Sequence, residues 1–374
     1  MRKIDLADLK ITDKQKRFVL RALKNNRLTY GPLTSRFEKK FSKLHGAEYS
    51  VFTNSGTSAL QAALHTLKEL GKWKDGDEVI VPAVTFVATI NVVLQNKLKP
   101  VFVDVGLNGN IDTLLIESAI TERTRAIIPV HLLGKPADMD TIMKIARTRR
   151  LKVIEDACET ILTPLRGDIS CFSFYVAHLL VTGVGGMAIT SNKKYAEMIR
   201  SLIFHGRDTK YLSIDDDDSY NEEVIRSRFR FNHPGYSYRA TEMEAALGLV
   251  GLEDIKSKVK KRRYNYQYLK GRLECPVLPS YTKDHACMFV DLLVCHRNDL
   301  IKYLEKRGVA TRTMMPLINQ PYIKKMFGDM NKEFPTAAAI DKLGVLIGCH
   351  EYMTKKDMDY IVEVVEKWRK KHQS

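Results

Sequence analysis

Between Tyr49 and Glu155, short apolar runs alternate with longer stretches in which apolar side chains recur every three or four positions. The short runs, Ser50 to Thr53, Glu78 to Val81, Pro100 to Asp104, Ala126 to Val130 and Leu151 to Glu155, predict strands. The longer stretches, near Thr57 to Lys68, Thr85 to Gln95, Ile111 to Ala119 and Met139 to Arg149, predict helices. This alternation predicts a parallel sheet covered by helices on both faces. Function in such folds collects at the C-terminal ends of the strands.

The rhythm changes at Ser170 to Asn192. An apolar run from Cys171 to Tyr175 gives way to a turn carrying His178, a bend rich in glycine (Gly183, Gly185, Gly186) and a second apolar run from Met187 to Thr190. The pattern predicts strand, loop, strand. His178 is then either a turn histidine satisfied by hydrogen bonds or a titratable group held on a loop between two buried segments.

On the N-terminal side, the residues to about Lys24 read as an arm and an amphipathic helix with Ile11, Phe18, Val19, Leu20 and Leu23 as its apolar positions. Tyr30-Gly31-Pro32 marks a turn, and Thr34 or Ser35 is expected to cap the helix of Phe37, Phe41 and Leu44. On the C-terminal side, Lys193 to Leu202 predicts a helix, and Ile214 to Glu223, with four aspartates from Asp215, an acidic surface loop. Thr241 and Glu244 have capping-box spacing at the start of a long helix reaching about Leu273. A strand over Met288 to Val294 and helices over Asp299 to Arg307, Thr336 to Leu343 and Lys355 to Lys370 make a smaller α+β unit. The expected division is a large domain, 1–255, and a long linking helix with a small domain, 256–374.

Composition narrows the class. In 374 residues, 44% hydrophobic and 28% charged, there is apolar surface for a large core. The N-terminus lacks the apolar stretch of a signal peptide and no run is long enough to span a bilayer, so the expected location is the cytoplasm. The six cysteines form no Cys-x-x-Cys pair, which argues against a structural zinc or a disulfide framework and implies no metal. The net charge of +16 is spread along the chain. Its one dense run, Lys256 to Arg263, reads as a solvated helix face rather than a nucleic-acid patch, and the excess would help attract a polyanionic small substrate.

Two strand ends carry candidate chemistry. Asn54-Ser55-Gly56-Thr57-Ser58-Ala59-Leu60 follows a strand and opens a helix, so it is either an anion site of free N–H groups and hydroxyls or simple N-capping. Its spacing matches neither a P-loop nor a dinucleotide fingerprint. Asp156 closes Val153-Ile154-Glu155-Asp156 and, buried there, needs a cation or a donor. It is either an ion-paired carboxylate at the core edge or the partner of a protonated heterocyclic nitrogen.

The ordered set of this helix start, Pro82-Ala83-Val84-Thr85-Phe86, Glu155-Asp156-Ala157 and Phe172-Ser173-Phe174-Tyr175 resembles the DegT/DnrJ/StrS family of pyridoxal-phosphate enzymes acting on nucleotide-linked keto-sugars. The resemblance covers nearly the whole chain. It includes Gly31-Pro32, Val130 to Asp140, Arg239 with Glu244 to Gly248, Gly308 to Arg312 and Gln320-Pro321-Tyr322. It implies the α/β fold of the type I aminotransferases, with a mostly parallel sheet in a cofactor-binding large domain. Gly56, Thr57, Ser58 and Ser173 would hold the cofactor phosphate, Phe86 stack on its ring and Asp156 pair with its pyridine nitrogen. Glu159 would stand near its phenolic oxygen. Family members are typically homodimers with shared active sites. Ser237 would reach the phosphate of the partner subunit's cofactor, although asparagine is common at that position.

Where aminotransferases of the family carry the Schiff-base lysine, five residues after Ser173, this chain has His178. Imidazole cannot hold pyridoxal phosphate covalently, yet it serves as an acid or base near neutral pH. One branch of the family with a histidine here uses pyridoxamine phosphate to remove the C3 hydroxyl of a GDP-linked 4-keto-6-deoxy sugar, with glutamate regenerating the amine. The resemblance therefore implies a 3-dehydratase in which His178 is acid and base and Asp156 supports it. The alternatives are a glutamate-dependent nucleotide-sugar aminotransferase and a catalytically silent homologue. An iron–sulfur relative is disfavoured because Cys287 and Cys295 alone make no cluster site.

Overall fold

The computed structural model describes residues 3–208, 222–227, 229–278, 284–315 and 317–372. Most of the acidic stretch predicted as a surface loop, 214–221, lies outside the described residues; Glu222 and Glu223 begin a short helix.

A seven-stranded sheet has the order β1-β7-β6-β5-β4-β2-β3, formed by Tyr49–Thr53 (β1), Glu78–Pro82 (β2), Lys99–Val103 (β3), Thr124–Ile127 (β4), Lys152–Asp156 (β5), Ile169–Ser173 (β6) and Gly186–Thr190 (β7). Strands β2 to β6 pair in parallel, and β7 runs antiparallel to both β6 and β1. Strands β2 and β7 are buried along their whole length, as expected where helices cover both faces. Because β7 alone is reversed, the ends of β1, β2, β5 and β6 and the start of β7 meet on one edge of the sheet. β1 is not a neighbour of β2, as simple succession along the chain would suggest. It lies at the far end, joined through β7.

The described helices are α1 (Asp13–Lys24), α2 (Pro32–His45), α3 (Gly56–Gly71), α4 (Val87–Gln95), α5 (Thr113–Ile116), α6 (Met139–Arg149), α7 (Lys193–Ile203), α8 (Glu222–Ser227), α9 (Glu242–Gly251), α10 (Ile255–Lys270), α11 (Arg297–Glu305), α12 (Pro321–Phe327), α13 (Pro335–Leu343) and α14 (Lys355–His372). The predicted helix over 111–119 shortens to α5 and one 3-10 turn. The long helix predicted from Thr241 is two: α9, with the expected Thr241/Glu244 capping box, ends at Gly251, and α10 starts after Asp254. The apolar positions alone did not reveal this break.

Three other expectations change. α2 begins at Pro32 with Gly31 as its cap residue, not Thr34 or Ser35. Its free amides at Leu33 and Thr34 are taken by the Glu242 carboxylate, 2.9 and 2.8 Å away. In the N-terminal helix Leu20 and Leu23 are exposed, and Gln15 and Ala22 are its buried positions. The basic run on α10 is not wholly solvated. Lys256 and Lys260 are exposed, but Arg262 is 2% exposed and its Nε donates to Glu351 at 2.7 Å.

A second, three-stranded antiparallel sheet has the order β8-β10-β9, made by Phe289–Leu293 (β8), Thr311–Thr313 (β9) and Gly344–Gly348 (β10). Its core includes Val290, Leu292, Val345 and Ile347 with Tyr266 of α10 and Trp368 of α14. Polar contacts tie it to the large sheet. Asp104, just past β3, accepts from the amides of Thr336 and Ala337 at the start of α13, and Lys135 forms a buried ion pair with Asp291 on β8. No described helix is long and apolar enough to cross a membrane.

Candidate active site

The helix start after β1 packs against the end of β6. Ser55 caps α3 by accepting from the Ser58 amide at 3.0 Å, and the Ser58 hydroxyl donates to Asn54 Oδ1 at 2.6 Å. Both donors of Ser58 are therefore used within the turn, whereas the Thr57 side chain is exposed. A Cβ on Gly56 would lie 2.7 Å from both Cys158 Sγ and Ser173 Cβ, so glycine lets α3, β5 and β6 converge here. Across the same edge, a Cβ on Gly186 would lie 2.2 Å from the Ser55 carbonyl oxygen. The two glycines set a close bend. Ser173 Oγ stands beside it, accepting weakly from the Tyr175 amide at 3.4 Å.

Asp156, the last residue of β5, is 5% exposed. Among the described residues it has no ion-pair partner. Thr89 Oγ1 donates to its Oδ2 at 2.8 Å and the Cys158 amide to its Oδ1 at 3.2 Å. Burial pushes its proton affinity up, and these donors oppose the rise. Of the two readings for Asp156, the core-edge ion pair is thus removed. The preceding Glu155 points to the other side of the strand. It accepts from the Arg166 and Gly167 amides and pairs with His131 Nε2 at 2.9 Å.

Phe86 caps α4 and is 57% exposed, a large ring left uncovered on the segment that also carries Thr89. Glu159 is 8% exposed, and its Oε2 accepts from the Leu133 amide at 2.6 Å. Burial pushes its carboxyl up to about 7. His178 lies on the β6–β7 connection, where its amide donates to the Tyr175 carbonyl at 2.9 Å. The ring is partly buried, and its Nδ1 is buried without a hydrogen-bond partner among the described residues. It is therefore not the satisfied turn histidine of the simpler reading. Burial, and secondarily Arg262, push its pKa down to about 4.

Ser237 is exposed and accepts from Arg239 Nη2 at 3.0 Å. Its turn is fixed to the same helix start. The Asn54 amide donates to the Tyr238 carbonyl at 2.8 Å, and the Tyr236 hydroxyl meets Gln61 Nε2 and His65 Nδ1 of α3 at 3.0 and 2.8 Å. The structure thus gathers Gly56, Thr57, Ser58, Ser173 and Asp156 at one sheet edge, with Phe86, Glu159 and His178 on segments leaving it. Sequence reasoning missed Thr89, Cys158 and Leu133. A polar residue inside the apolar segment Val87–Gln95 was the available signal for Thr89.

The chain resembles known proteins over nearly its whole length. The chain is 32% identical to the lipopolysaccharide biosynthesis protein RfbH of Salmonella typhimurium, over 91% of this chain and 86% of that protein. It is 29% identical to the GDP-4-keto-6-deoxy-D-mannose 3-dehydratase of Yersinia pseudotuberculosis, over 98% of this chain and all of that one. The crystal structure of a GDP-4-keto-6-deoxymannose-3-dehydratase histidine-to-asparagine mutant with bound GDP-perosamine superposes with a TM-score of 0.88 at 26% identity, covering 97% of this chain and 100% of that chain. Residues 9–366 match one family: the chain belongs to the DegT/DnrJ/EryC1/StrS aminotransferase family.

Proposed function

We propose that this enzyme uses pyridoxamine phosphate to remove the C3 hydroxyl of a nucleotide-linked 4-keto-6-deoxy sugar, with His178 as acid and base. The observation carrying the reading is the β6–β7 connection. It leaves the Gly56–Ser173 contact, holds His178 with an unpartnered Nδ1, and contains no lysine from Phe174 to Gly185. The relative solved as a histidine mutant with a nucleotide sugar supports it.

The residues fit the cofactor. The clearance at Gly56, the α3 amides, and the Thr57 and Ser173 hydroxyls suit a phosphate, with Ser58 bracing the turn. Exposed Phe86 suits a ring face, and Asp156, held among the described residues by neutral donors alone, suits a protonated ring nitrogen. Glu159 would stand near the cofactor's phenolic oxygen, and Ser237 would reach the phosphate of the partner subunit's cofactor. When bound, the group supplies an amine for the C4 ketone and a ring-activated carbon whose proton loss expels the C3 oxygen. Neutral His178 takes that proton and, as imidazolium, returns one to the departing hydroxyl. Asp156 keeps the ring nitrogen protonated. Glutamate as amine donor, a homodimer, the cytoplasm, and domains at 1–255 and 256–374 complete the proposal. The break between α9 and α10 supports the boundary.

The test is incubation with pyridoxal phosphate, glutamate and a GDP- or dTDP-linked 4-keto-6-deoxyhexose, with the sugar analysed by mass. Loss of oxygen without retained nitrogen is expected. A stable aminosugar would make the enzyme an aminotransferase, and bound cofactor without turnover a silent homologue.

A further inference from the structure

Asp156 is a buried carboxylate with no ion-pair partner among the described residues; to pair with a protonated ring nitrogen it must stay charged, and the segment after β2 supplies the means. Thr89 stands in the first turn of α4, three residues beyond Phe86, and donates to Asp156 Oδ2 at 2.8 Å. Thr85 Oγ1 lies 2.8 Å from Thr89 Oγ1, and the two threonines are 1% and 0% exposed. An ionised carboxylate only accepts, so Thr89 spends its one proton on Asp156 and Thr85 must donate to Thr89. Two hydroxyls thus form a directed chain ending on the carboxylate, each polarising the next in a dry setting. The N-terminal end of α4 adds positive potential at the same place.

We propose that Thr89, backed by Thr85, is a positioning residue that keeps Asp156 ionised and aimed at the cofactor's ring nitrogen, so that a pair of neutral hydroxyls sets the protonation of the ring. The proposal rests on the cofactor reading above. It assigns one segment, 85–89, two tasks: Phe86 covers the ring face and the threonines govern the ring's nitrogen through Asp156. Thr89→Val keeps the shape and β-branching of the side chain but removes the proton. Thr89→Ser keeps the proton and removes the methyl.

The test is nitrogen NMR of pyridoxamine phosphate labelled at the ring nitrogen and bound to the full-length enzyme, followed across pH. In Thr89→Val the carboxylate is more basic and takes a larger share of the ring's proton, so at neutral pH the nitrogen resonance should move toward that of the neutral ring. Thr89→Ser should match the wild type, and Thr85→Val should move in the same direction by less. A wild-type resonance in Thr89→Val, or equal shifts in the valine and serine variants, overturns the proposal. Should Thr89→Val fail to fold, an unshifted Thr85→Val overturns it instead. Asp156→Asn separates the two levels. If it leaves the ring nitrogen unaffected, the cofactor reading fails, whereas an effect there beside a silent Thr89→Val sinks the threonine assignment alone.

Discussion

The Glu159 carboxylate accepts a hydrogen bond at 2.6 Å from the amide of Leu133, a residue held at φ 55°. The same loop is fastened from its other side, where the Ala286 amide donates to the Gly134 carbonyl at 2.9 Å and the Met288 amide to the Leu133 carbonyl at 3.1 Å. Glu159 is therefore joined through one short loop to the entry of the small sheet.

Glu159 should make stability fall as pH rises. Burial comes first among the causes that push its carboxyl from 4.5 to about 7, with Asp156 adding and the Leu133 amide and Lys135 opposing. Between those values the folded chain keeps a proton that the unfolded chain has released, so folding weakens across pH 4.5 to 7. Glu159→Gln should leave cofactor-free protein roughly 2 kcal/mol more favoured, relative to wild type, at pH 8 than at pH 4.5. Urea denaturation at both values checks this, and a difference independent of pH would contradict it.

His178 should behave in the opposite sense. Its pKa is pushed from 6.5 down to about 4, so the ring is neutral and ready to act as a base at neutral pH. The unfolded chain protonates first, and the contribution of His178 to stability is lost as pH falls from 6.5 to 4. The acid limb of kcat/KM for the free enzyme should lie near pH 4 to 5 rather than above 6. His178→Asn should lower turnover by about 10²-fold or more while cofactor affinity stays within a few-fold. Comparable losses in both would make the ring a binding group instead.

Gly56→Ala should damage the site before it damages the fold. The added methyl meets Cys158 Sγ and Ser173 Cβ at 2.7 Å, forcing apart two elements of the phosphate end. Expected are a loss of ~1–3 kcal/mol in stability and cofactor binding weakened by about tenfold or more. Equilibrium dialysis against pyridoxamine phosphate measures the second, and unchanged affinity would remove Gly56 from the site.

The Lys135–Asp291 pair is buried on both sides, 1% and 0% exposed. Asp291→Leu or Lys135→Met alone leaves a buried charge without its partner and should cost about 3–5 kcal/mol. Lys135→Met combined with Asp291→Leu should recover most of that. Denaturation of the four proteins in a double-mutant cycle reads the coupling, and additive losses would show that the pair is not a unit.

Much of the site was legible because its parts are local. Ser55 to Ser58 cap a helix within four residues, Asp156 ends a strand, and the Thr241/Glu244 box is read from its spacing. Arg262 shows the limit. It sits in a run of lysines that looks solvated, and only the approach of Glu351, 89 positions away, makes its burial affordable. The break between α9 and α10 was hidden for a related reason, since the helical period of apolar residues carries on through it.

The sequence by itself determined the alternation of strands and helices, the second strand after the glycine bend, the family, and the identity of the groups at each strand end. Backbone propensity and periodicity act over a few residues, and these features are encoded over that range. Only the tertiary structure decided that β1 lies beside β7, so that Gly56 and Ser173, 117 positions apart, touch. It alone also showed that, among the described residues, Asp156 is held by Thr89 and not by a cation, and His178 keeps a buried nitrogen unpartnered. Which polar group meets which across the sheet edge depends on long-range packing, and nothing in the local spacing specifies it.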